Sequence, residues 1–307
     1  MRRGVGLRLL GVMLAIGIGP VSLAACSSPR SGPASARLSV VAAENFWGSI
    51  AAQLGGDRVK VTSIISNPDT DPHSYEPTAA DARRLASARY VVYNGIGYDP
   101  WAPKLVAANP QAGRRVLAIG DLLGIRAGGN PHRWYSPDDV AKVIDQVSAD
   151  YDRLDPADAV YFDQQHATFT STGLAVYRSL IAVIRAKYGA TPVGASESIF
   201  TPLAQALGLS VLTPGTFLSA VSEGGEPNAA DKATIDTQIK THQIKVFVFN
   251  SQNSTPDVQA QVAEARAAGI PTTTITETLS PASATFQDWQ VGQLRALEAA
   301  LARATGR

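Results

Sequence analysis

Two short loops carry the residues best suited to chemistry in this chain. DTDPHSYEP, residues 69–77, places His73 among carboxylates, and GNPHRWYSP, residues 129–137, repeats the Pro-His pair at His132. Both segments are rich in turn-forming residues, so each predicts a loop rather than a helix or strand. An imidazole offers a lone pair or a proton near neutral pH. The two loops together predict one functional site.

The strands that precede these loops place both imidazoles on one side of a sheet. His73 follows the strand-like run VKVTSII, and His132 follows RRVLAI through the segment GDLLGIRAGGNP. Ligand sites of open α/β sheets lie at such strand ends. The alternative is a pair of loop imidazoles that only make hydrogen bonds. His166, in a helical pattern, and His242, in the last turn of a predicted helix, have ordinary structural explanations.

Short β-branched runs alternate with longer amphipathic segments from residue 37 onward. Four predicted strands lie in the first half and four in the second: RLSVVAA, VKVTSII, ARYVVYN and RRVLAI, then TPVGAS, LSVLTP, IKVFVFN and PTTTIT. Helical patterns between them include FWGSIAAQLG, TAADARRLASA, TPLAQALG, NAADKATIDTQIKTH and TPDVQAQVAEARAAG. Alternation of this kind predicts an α/β fold with parallel sheets flanked by helices.

The segment from Pro137 to Tyr188 breaks this alternation, because it shows helical periodicity and no strand pattern. One interruption is expected at LDPADA, where Asp155 suits an N-cap and Pro156 the first turn of a new helix. A continuous helix from there to Tyr188 would measure on the order of 48 Å. We predict a first lobe at 37–155 and a second lobe at 189–307, each with a four-stranded parallel sheet. A rigid helix at 156–188 would link them.

Length and composition set the broad class of the protein. The chain has 307 residues, of which 45% are hydrophobic and 17% charged, which suits one large or two medium globular domains. The net charge is +1, and the Lys and Arg residues are scattered along the chain. We therefore expect no nucleic-acid partner. We also expect a monomer.

The N-terminus has the composition of a secretory signal over residues 1–25. Three arginines precede LLGVMLAIGIGPVSLAA, an apolar run too short to span a membrane. Cys26, the only cysteine, closes LAAC, which resembles a bacterial lipobox, and residues 26–36 have the composition of a flexible tether. The alternative is a plain signal peptide with an incidental cysteine. The lipobox implies an extracytoplasmic protein anchored to the cell membrane through a lipidated Cys26.

The two Pro-His loops resemble the metal-ligand motifs of a known family. DPHSYEP at 71–77 is similar to the first motif, and NPHRWYSP at 130–137 to the second, of the ZnuA/TroA-like substrate-binding lipoproteins that serve zinc and manganese ABC importers. AAENFWGSIAAQLGGDRVKV and EPNAADKATIDTQIKTHQIKVFVFN resemble units of that family's first and second lobes. The resemblance spans residues 38–304 and implies two lobes joined by a helix.

The resemblance also implies two carboxylate ligands. Glu197 in ASESIFTPLAQALGL matches the third ligand position, and Glu277 in ITETL matches the fourth, where the family has Asp. The longer Glu277 side chain requires a loop set farther back or another binding mode. Without the other motifs, Glu197 would be an ordinary carboxylate in the first turn of a helix capped by Ser196.

The implied ligands, His73, His132, Glu197 and Glu277, would hold one divalent transition metal as cargo. Mixed N and O donors suit Zn²⁺, Mn²⁺ or Fe²⁺, and the lack of a thiolate argues against Cu(I). Zinc-specific relatives often have a third His and a His-rich loop, whereas this chain has Glu197 and GIRAGGN, which favours manganese or iron. Glu277 keeps zinc open. The implied function is capture of the ion between two lobes and its delivery to an ABC importer permease, with no reaction catalysed.

Two other classes of protein remain open on the sequence alone. A secreted metallohydrolase would use two His and a carboxylate, with Glu277 as general base. The chain has neither an HExxH helix nor a Gly-x-Ser-x-Gly elbow, which disfavours that class. A receptor for chelated iron or cobalamin on a similar scaffold would not need the Pro-His loops. The metal receptor accounts for more of the sequence than either.

Overall fold

The computed structural model describes Gly6, Gly11 and residues 37–70 and 72–307. Apart from the two glycines, the predicted signal peptide lies outside the described residues, as do the tether with Cys26 and Asp71, which is close to His73 in sequence. The predictions made for those segments therefore stay predictions. Arg37–Arg307 form one compact unit.

Two four-stranded parallel sheets organise this unit. The first contains β1 (Leu38–Glu44), β2 (Val59–Ile65), β3 (Tyr90–Tyr93) and β4 (Arg115–Ala118), in the order β2-β1-β3-β4. The second contains β5 (Pro192–Ala195), β6 (Ser210–Val211), β7 (Val246–Asn250) and β8 (Thr272–Ile275), in the order β6-β5-β7-β8. The two orders are equivalent, so the two sheets share one topology. We call the parts built on them the first lobe and the second lobe.

Helices flank both sheets. The first lobe contains α1 (Asn45–Gly55), α2 (Ala79–Ala86), α3 (Trp101–Ala108), α4 (Ile119–Leu123) and α5 (Pro137–Leu154). Between the lobes lie α6 (Ala159–Thr168) and α7 (Ala175–Tyr188). The second lobe contains α8 (Thr201–Ala206), α9 (Gly215–Ser222), α10 (Ala229–Lys240), α11 (Pro256–Ala267) and α12 (Phe286–Thr305). The predicted α/β fold class is confirmed.

All eight predicted strands form, although β6 has only two residues. The sequence patterns above do not predict α3, α4, α9 or α12. The longest of these, α12, nevertheless has a local start signal, because the Thr285 side chain accepts a hydrogen bond from the Asp288 backbone N–H. Its Phe286, Trp289 and Leu294 are buried. These buried positions recur at helical spacing, so the sequence did carry a periodic signal for α12.

The predicted linking helix is helical throughout but not uniform. It begins with a 3₁₀ turn at Pro156–Asp158, and a π-helical turn at Phe169–Gly173 separates α6 from α7. Two hydroxyl groups in that turn, those of Thr170 and Ser171, donate to the carbonyls of His166 and Ala167 four residues earlier. Such bonds compete with the helical ladder and often bend a helix. The predicted linking helix is therefore present, and it is bent.

Among the described residues, the helix Pro156–Tyr188 has the length and apolar composition that could cross a membrane. Its α6 part contacts α1 and α5, and its α7 part contacts α12. Phe162, Phe169 and Tyr177 are buried in these contacts. This packing matches the predicted role of the segment as the helix that links the lobes.

Candidate metal centre

His132 lies in the loop after α4, with its imidazole ring completely buried. The Asn130 side-chain oxygen accepts the His132 backbone N–H at 3.0 Å and lies 2.9 Å from Nδ1 of the ring. Asn130 donates its own N–H to the Ser198 carbonyl at 2.7 Å, which fixes the amide orientation. Since the Asn130 oxygen can only accept, Nδ1 carries the proton. The lone pair is therefore on Nε2, as a metal ligand requires.

The surroundings of His132 keep it neutral. Its ring lies 5.2 Å from the Trp134 ring and 5.9 Å from the Tyr98 ring, centroid to centroid. Burial lowers the pKa of His132 well below its ordinary value, and the nearby His73 and Arg133 act in the same direction. Nε2 has no hydrogen-bond partner among the described residues. A buried acceptor of this kind suits a cation.

His73 lies in the loop after β2 and faces the same space. Its ring centroid is 4.7 Å from that of Tyr98 and 6.4 Å from that of His132, in edge-to-face arrangements. Tyr98, which is fully buried in the loop after β3, thus contacts both imidazoles. The two Pro-His loops do meet at the carboxyl ends of the strands, as predicted, although β2 and β4 lie at opposite edges of the sheet.

Glu197 follows β5 by two residues and is almost fully buried. Its Oε1 accepts a hydrogen bond from Asn250 Nδ2, and its Oε2 accepts one from Asn253 Nδ2 at 2.7 Å. Its backbone is extended, so Glu197 precedes the 3₁₀ turn Ser198–Phe200 instead of lying within a helical turn. The alternative of a Ser196 cap is wrong, because the Ser196 hydroxyl accepts the Asn250 backbone N–H.

Glu277 follows β8 by two residues and reaches across to the first lobe. Its Oε1 accepts from Asn250 Nδ2 at 2.9 Å, and its Oε2 accepts from the Tyr98 hydroxyl at 2.9 Å. The same Oε2 lies 3.7 Å from His132 Nε2. One carboxylate therefore contacts an amide of its own lobe and a phenol and an imidazole of the other.

The 3.7 Å separation between His132 Nε2 and Glu277 Oε2 fits two ligands of one ion. Two donors at about 2.1 Å from a tetrahedral ion lie about 3.4 Å apart. A cavity of about 430 Å³ opens beside them, lined by His73, Glu277 and Asn253 among others. Within residues 37–70 and 72–307, however, no three His, Cys, Asp or Glu side chains are already grouped to hold an ion. The four predicted residues are nevertheless linked by contacts around one cleft.

The other two histidines lie elsewhere. His166 is on α6, where its Nε2 lies 2.8 Å from Asp145 Oδ1 on α5. His242 follows α10 with a positive φ of 53°, so it lies just past the helix and not in its last turn as predicted. Neither contributes to the cleft.

Sequence reasoning missed four polar residues that hold the predicted ligands: Asn130, Tyr98, Asn250 and Asn253. Asn250 ends β7, and Tyr98 lies in NGIGYDPW after β3. Both are at strand carboxyl ends, the rule that singled out His73 and His132. Applying that rule to the remaining strands would have found them.

A pair of buried carboxyl groups lies behind this cleft in the first lobe. Glu44 ends β1 and Asp99 follows Tyr98, and both are almost fully buried. Burial raises the pKa of Glu44 well above its ordinary value, and repulsion from Asp99 raises it further. Burial raises the pKa of Asp99 to about 6, while hydrogen bonds from the Asn94 and Gly95 backbone oppose the rise. Burial therefore opposes the ionisation of both groups.

A family model described as the periplasmic component A of the zinc-uptake complex, ZnuA, matches residues 40–300. The chain belongs to this family. The predicted family resemblance is thus confirmed, and the two-lobed α/β architecture is the one it implied.

Individual relatives are named for both zinc and manganese. The manganese ABC transporter substrate-binding lipoprotein PsaA of Streptococcus pneumoniae is 22% identical over 271 residues, which cover 81% of this chain and 84% of PsaA. The zinc-binding lipoprotein AdcA of the same species is 25% identical over 253 residues, 76% of this chain and 48% of AdcA. The metal ABC transporter substrate-binding lipoprotein FimA of Streptococcus parasanguinis is 28% identical over 161 residues, 48% of this chain and 52% of FimA. The matches span about half the length of FimA and AdcA.

Solved structures share the fold at low sequence identity. The Mn-bound periplasmic metal binding protein from Candidatus Liberibacter asiaticus has a TM-score of 0.71 and 21% identity, covering 85% of this chain and 98% of its own. A mutant of the laminin-binding adhesin Lmb from Streptococcus agalactiae has a TM-score of 0.69 and 20% identity, covering 86% and 99%, respectively. These similarities establish the architecture.

Proposed function

We propose that this chain is the extracytoplasmic substrate-binding protein of an ABC importer for a divalent transition metal. The ion would be captured between a first lobe at 37–155 and a second lobe at 189–307, and passed to a membrane permease. The observation that carries the proposal is the approach of His132 Nε2 to Glu277 Oε2, 3.7 Å apart across the lobes. Family membership supports it.

The proposed ligands are His73 and His132 from the first lobe and Glu197 and Glu277 from the second. Two neutral imidazole nitrogens and two carboxylates suit a borderline divalent ion such as Zn²⁺ or Mn²⁺, with Fe²⁺ as a further cargo. The two negative charges of the carboxylates balance the charge of the ion, which lessens the cost of burying it. Delivery requires no chemical reaction, so we propose no catalytic residue.

The proposal also includes attachment to the membrane. Cys26 would carry the lipid, and residues 26–36 would tether the metal-binding unit to the outer face of the cell membrane. Relatives named as lipoproteins support this arrangement. Mass analysis of Cys26 in the protein purified from membranes tests it, since an unmodified cysteine would exclude a lipid anchor.

Metal analysis tests the central proposal. Residues 37–307, stripped with a chelator and exposed anaerobically to equal Zn²⁺, Mn²⁺ and Fe²⁺, are expected to retain one equivalent of ion. The variant His73→Ala should retain none. The matched control is His166→Ala, because that imidazole pairs with Asp145 on the helices behind the cleft. Failure of the unaltered protein to retain any ion would exclude the proposal.

A further inference from the structure

Asn250 holds both carboxylates of the second lobe with one amide nitrogen. Its Nδ2 donates to Glu197 Oε1 and, at 2.9 Å, to Glu277 Oε1. The amide is completely buried, and its own oxygen accepts the Gln252 backbone N–H at 2.9 Å. That bond fixes which end of the amide faces the carboxylates. Asn250 is therefore a rigid double donor between the two acids.

This arrangement directs the two oxygens of Glu277 to opposite sides. Oε1 faces Asn250, whereas Oε2 faces the cleft, 2.9 Å from the Tyr98 hydroxyl oxygen and 3.7 Å from His132 Nε2. An ion beside His132 meets Oε2 first. To bind Oε1 as well, it would have to approach the partial positive charge of the Asn250 N–H or break that hydrogen bond.

Glu197 is restrained in the same way, and more completely. Its Oε1 accepts from Asn250, and its Oε2 accepts from Asn253 Nδ2 at 2.7 Å. Each oxygen already accepts from an amide N–H, so an ion bound to both oxygens would lie close to the partial positive charge of both N–H groups. Symmetric bidentate binding would disturb both amides at once.

We propose that Asn250 is a specificity-determining positioning residue, which limits Glu197 and Glu277 to one metal bond each and thereby favours four-coordinate Zn²⁺ over Mn²⁺. This inference rests on the proposed function. Two imidazoles and two monodentate carboxylates make four donors, the usual number for zinc. Mn²⁺ favours six donor atoms, most of them oxygen, and would need bidentate carboxylates or added water to reach that number. The preference is opposite to the one indicated by the missing third histidine.

The test compares variants at Asn250 by their ratio of Zn²⁺ to Mn²⁺ affinity, measured by chelator competition on residues 37–307. Asn250→Asp keeps the oxygen that accepts the Gln252 N–H but removes both donors, and Asn250→Ala removes them without adding charge. In the unaltered protein, bidentate binding of Mn²⁺ would have to break a hydrogen bond to a charged group, which corresponds to about tenfold or more in binding. Neither variant has that bond to break, so the Zn/Mn ratio should fall by about tenfold in both. The ratio, unlike either affinity alone, is insensitive to a general loss of stability.

Gln238→Ala is the matched control. Gln238 is a buried amide of the same lobe, and it donates to the Leu212 carbonyl at 2.8 Å instead of to a carboxylate. Its removal should leave the Zn/Mn ratio unchanged. An equal fall in this variant would mean that the ratio reports general loosening of the lobe, which would overturn the proposal.

Visible spectroscopy of the Co²⁺-loaded protein gives a second readout. Four-coordinate Co²⁺ absorbs visible light strongly and six-coordinate Co²⁺ weakly, so the unaltered protein should absorb strongly and Asn250→Asp weakly. A weak spectrum in the unaltered protein would overturn the role of Asn250 even if neither variant folds, while leaving metal capture intact. Absence of Co²⁺, Zn²⁺ and Mn²⁺ binding in the unaltered protein would instead overturn the proposed function, and this inference with it.

Discussion

The two lobes share a strand order but prepare their proposed metal donors by opposite means. In the first lobe, two imidazoles lie on long loops; both contact the Tyr98 ring, and the buried His132 also contacts Trp134. In the second lobe, the carboxylates of Glu197 and Glu277 follow their strands by only two residues and are held by amide donors. The same topology therefore supports two different kinds of half-site.

The difference follows from what each donor needs in order to bind a cation. An imidazole must be neutral with its lone pair exposed, and burial provides this by lowering the pKa of His132. A carboxylate must stay ionised although buried, which requires hydrogen bonds to its charged form. Asn250 and Asn253 supply those bonds in the second lobe. Burial alone would have the opposite effect on the carboxyl groups, because it raises their pKa and favours the neutral form.

The largest expected effect is the loss of one donor from either lobe. His132→Ala and Glu197→Ala should each weaken metal binding by more than the roughly 10–100-fold that loss of an outer partner costs. Isothermal titration with Zn²⁺ measures both. An unequal result, with one variant binding normally, would show that one lobe alone holds the ion.

Removing the partner of the first-lobe imidazole should have a smaller effect. Asn130→Ala deletes the oxygen that accepts the Nδ1 proton of His132, so the ring loses its fixed tautomer. Zn²⁺ affinity should fall about 10–100-fold, as for other outer partners of ligand histidines. Asn130→Asp, which keeps the acceptor, should restore most of it. If both variants bind as tightly as the unaltered protein, packing alone orients His132.

The contact between the lobes should matter mainly in the metal-free protein. Tyr98→Phe removes the hydroxyl that donates to Glu277 Oε2. The free energy of unfolding should fall by about 1.5–3 kcal/mol, the usual contribution of a hydrogen bond to a charged group. Denaturant titrations with and without Zn²⁺ measure this. The loss should be smaller with Zn²⁺ bound, because the ion and the hydroxyl would compete for Glu277 Oε2. A larger loss in the metal-bound form would contradict this competition.

The smallest effect concerns the raised pKa values of Glu44 and Asp99. A carboxyl group with a pKa raised by folding contributes stability below its ordinary pKa and loses it as pH rises through the raised value, here about 6 for Asp99. Glu44→Gln removes one acid, so the melting temperature of this variant should rise relative to that of the unaltered protein between about pH 5 and about pH 8. The expected change is about 2–4 °C for each kcal/mol of stability that the unaltered protein loses over this range. A difference independent of pH would mean that folding does not raise the pKa values of this pair.

Local patterns in the sequence were enough for the sheets and for part of the site. β-branched runs predicted all eight strands, since such side chains favour extended backbone wherever they are buried. The Pro-His loops predicted His73 and His132, because turn residues keep them out of regular structure. The π-helical turn in the linking helix was not predicted, since it accompanies hydroxyl-to-carbonyl hydrogen bonds that apolar periodicity does not reveal.

By itself, the sequence determined the fold class, the family and the residue types available to a metal, because these depend on local periodicity and on short motifs. Only the tertiary structure decided which atoms meet. The bonds of Glu277 to Tyr98 and Asn250 join residues 179 and 27 positions apart, and no local pattern encodes such contacts. They arise because parallel strands bring their carboxyl ends, and the polar side chains that follow them, to one edge of each sheet.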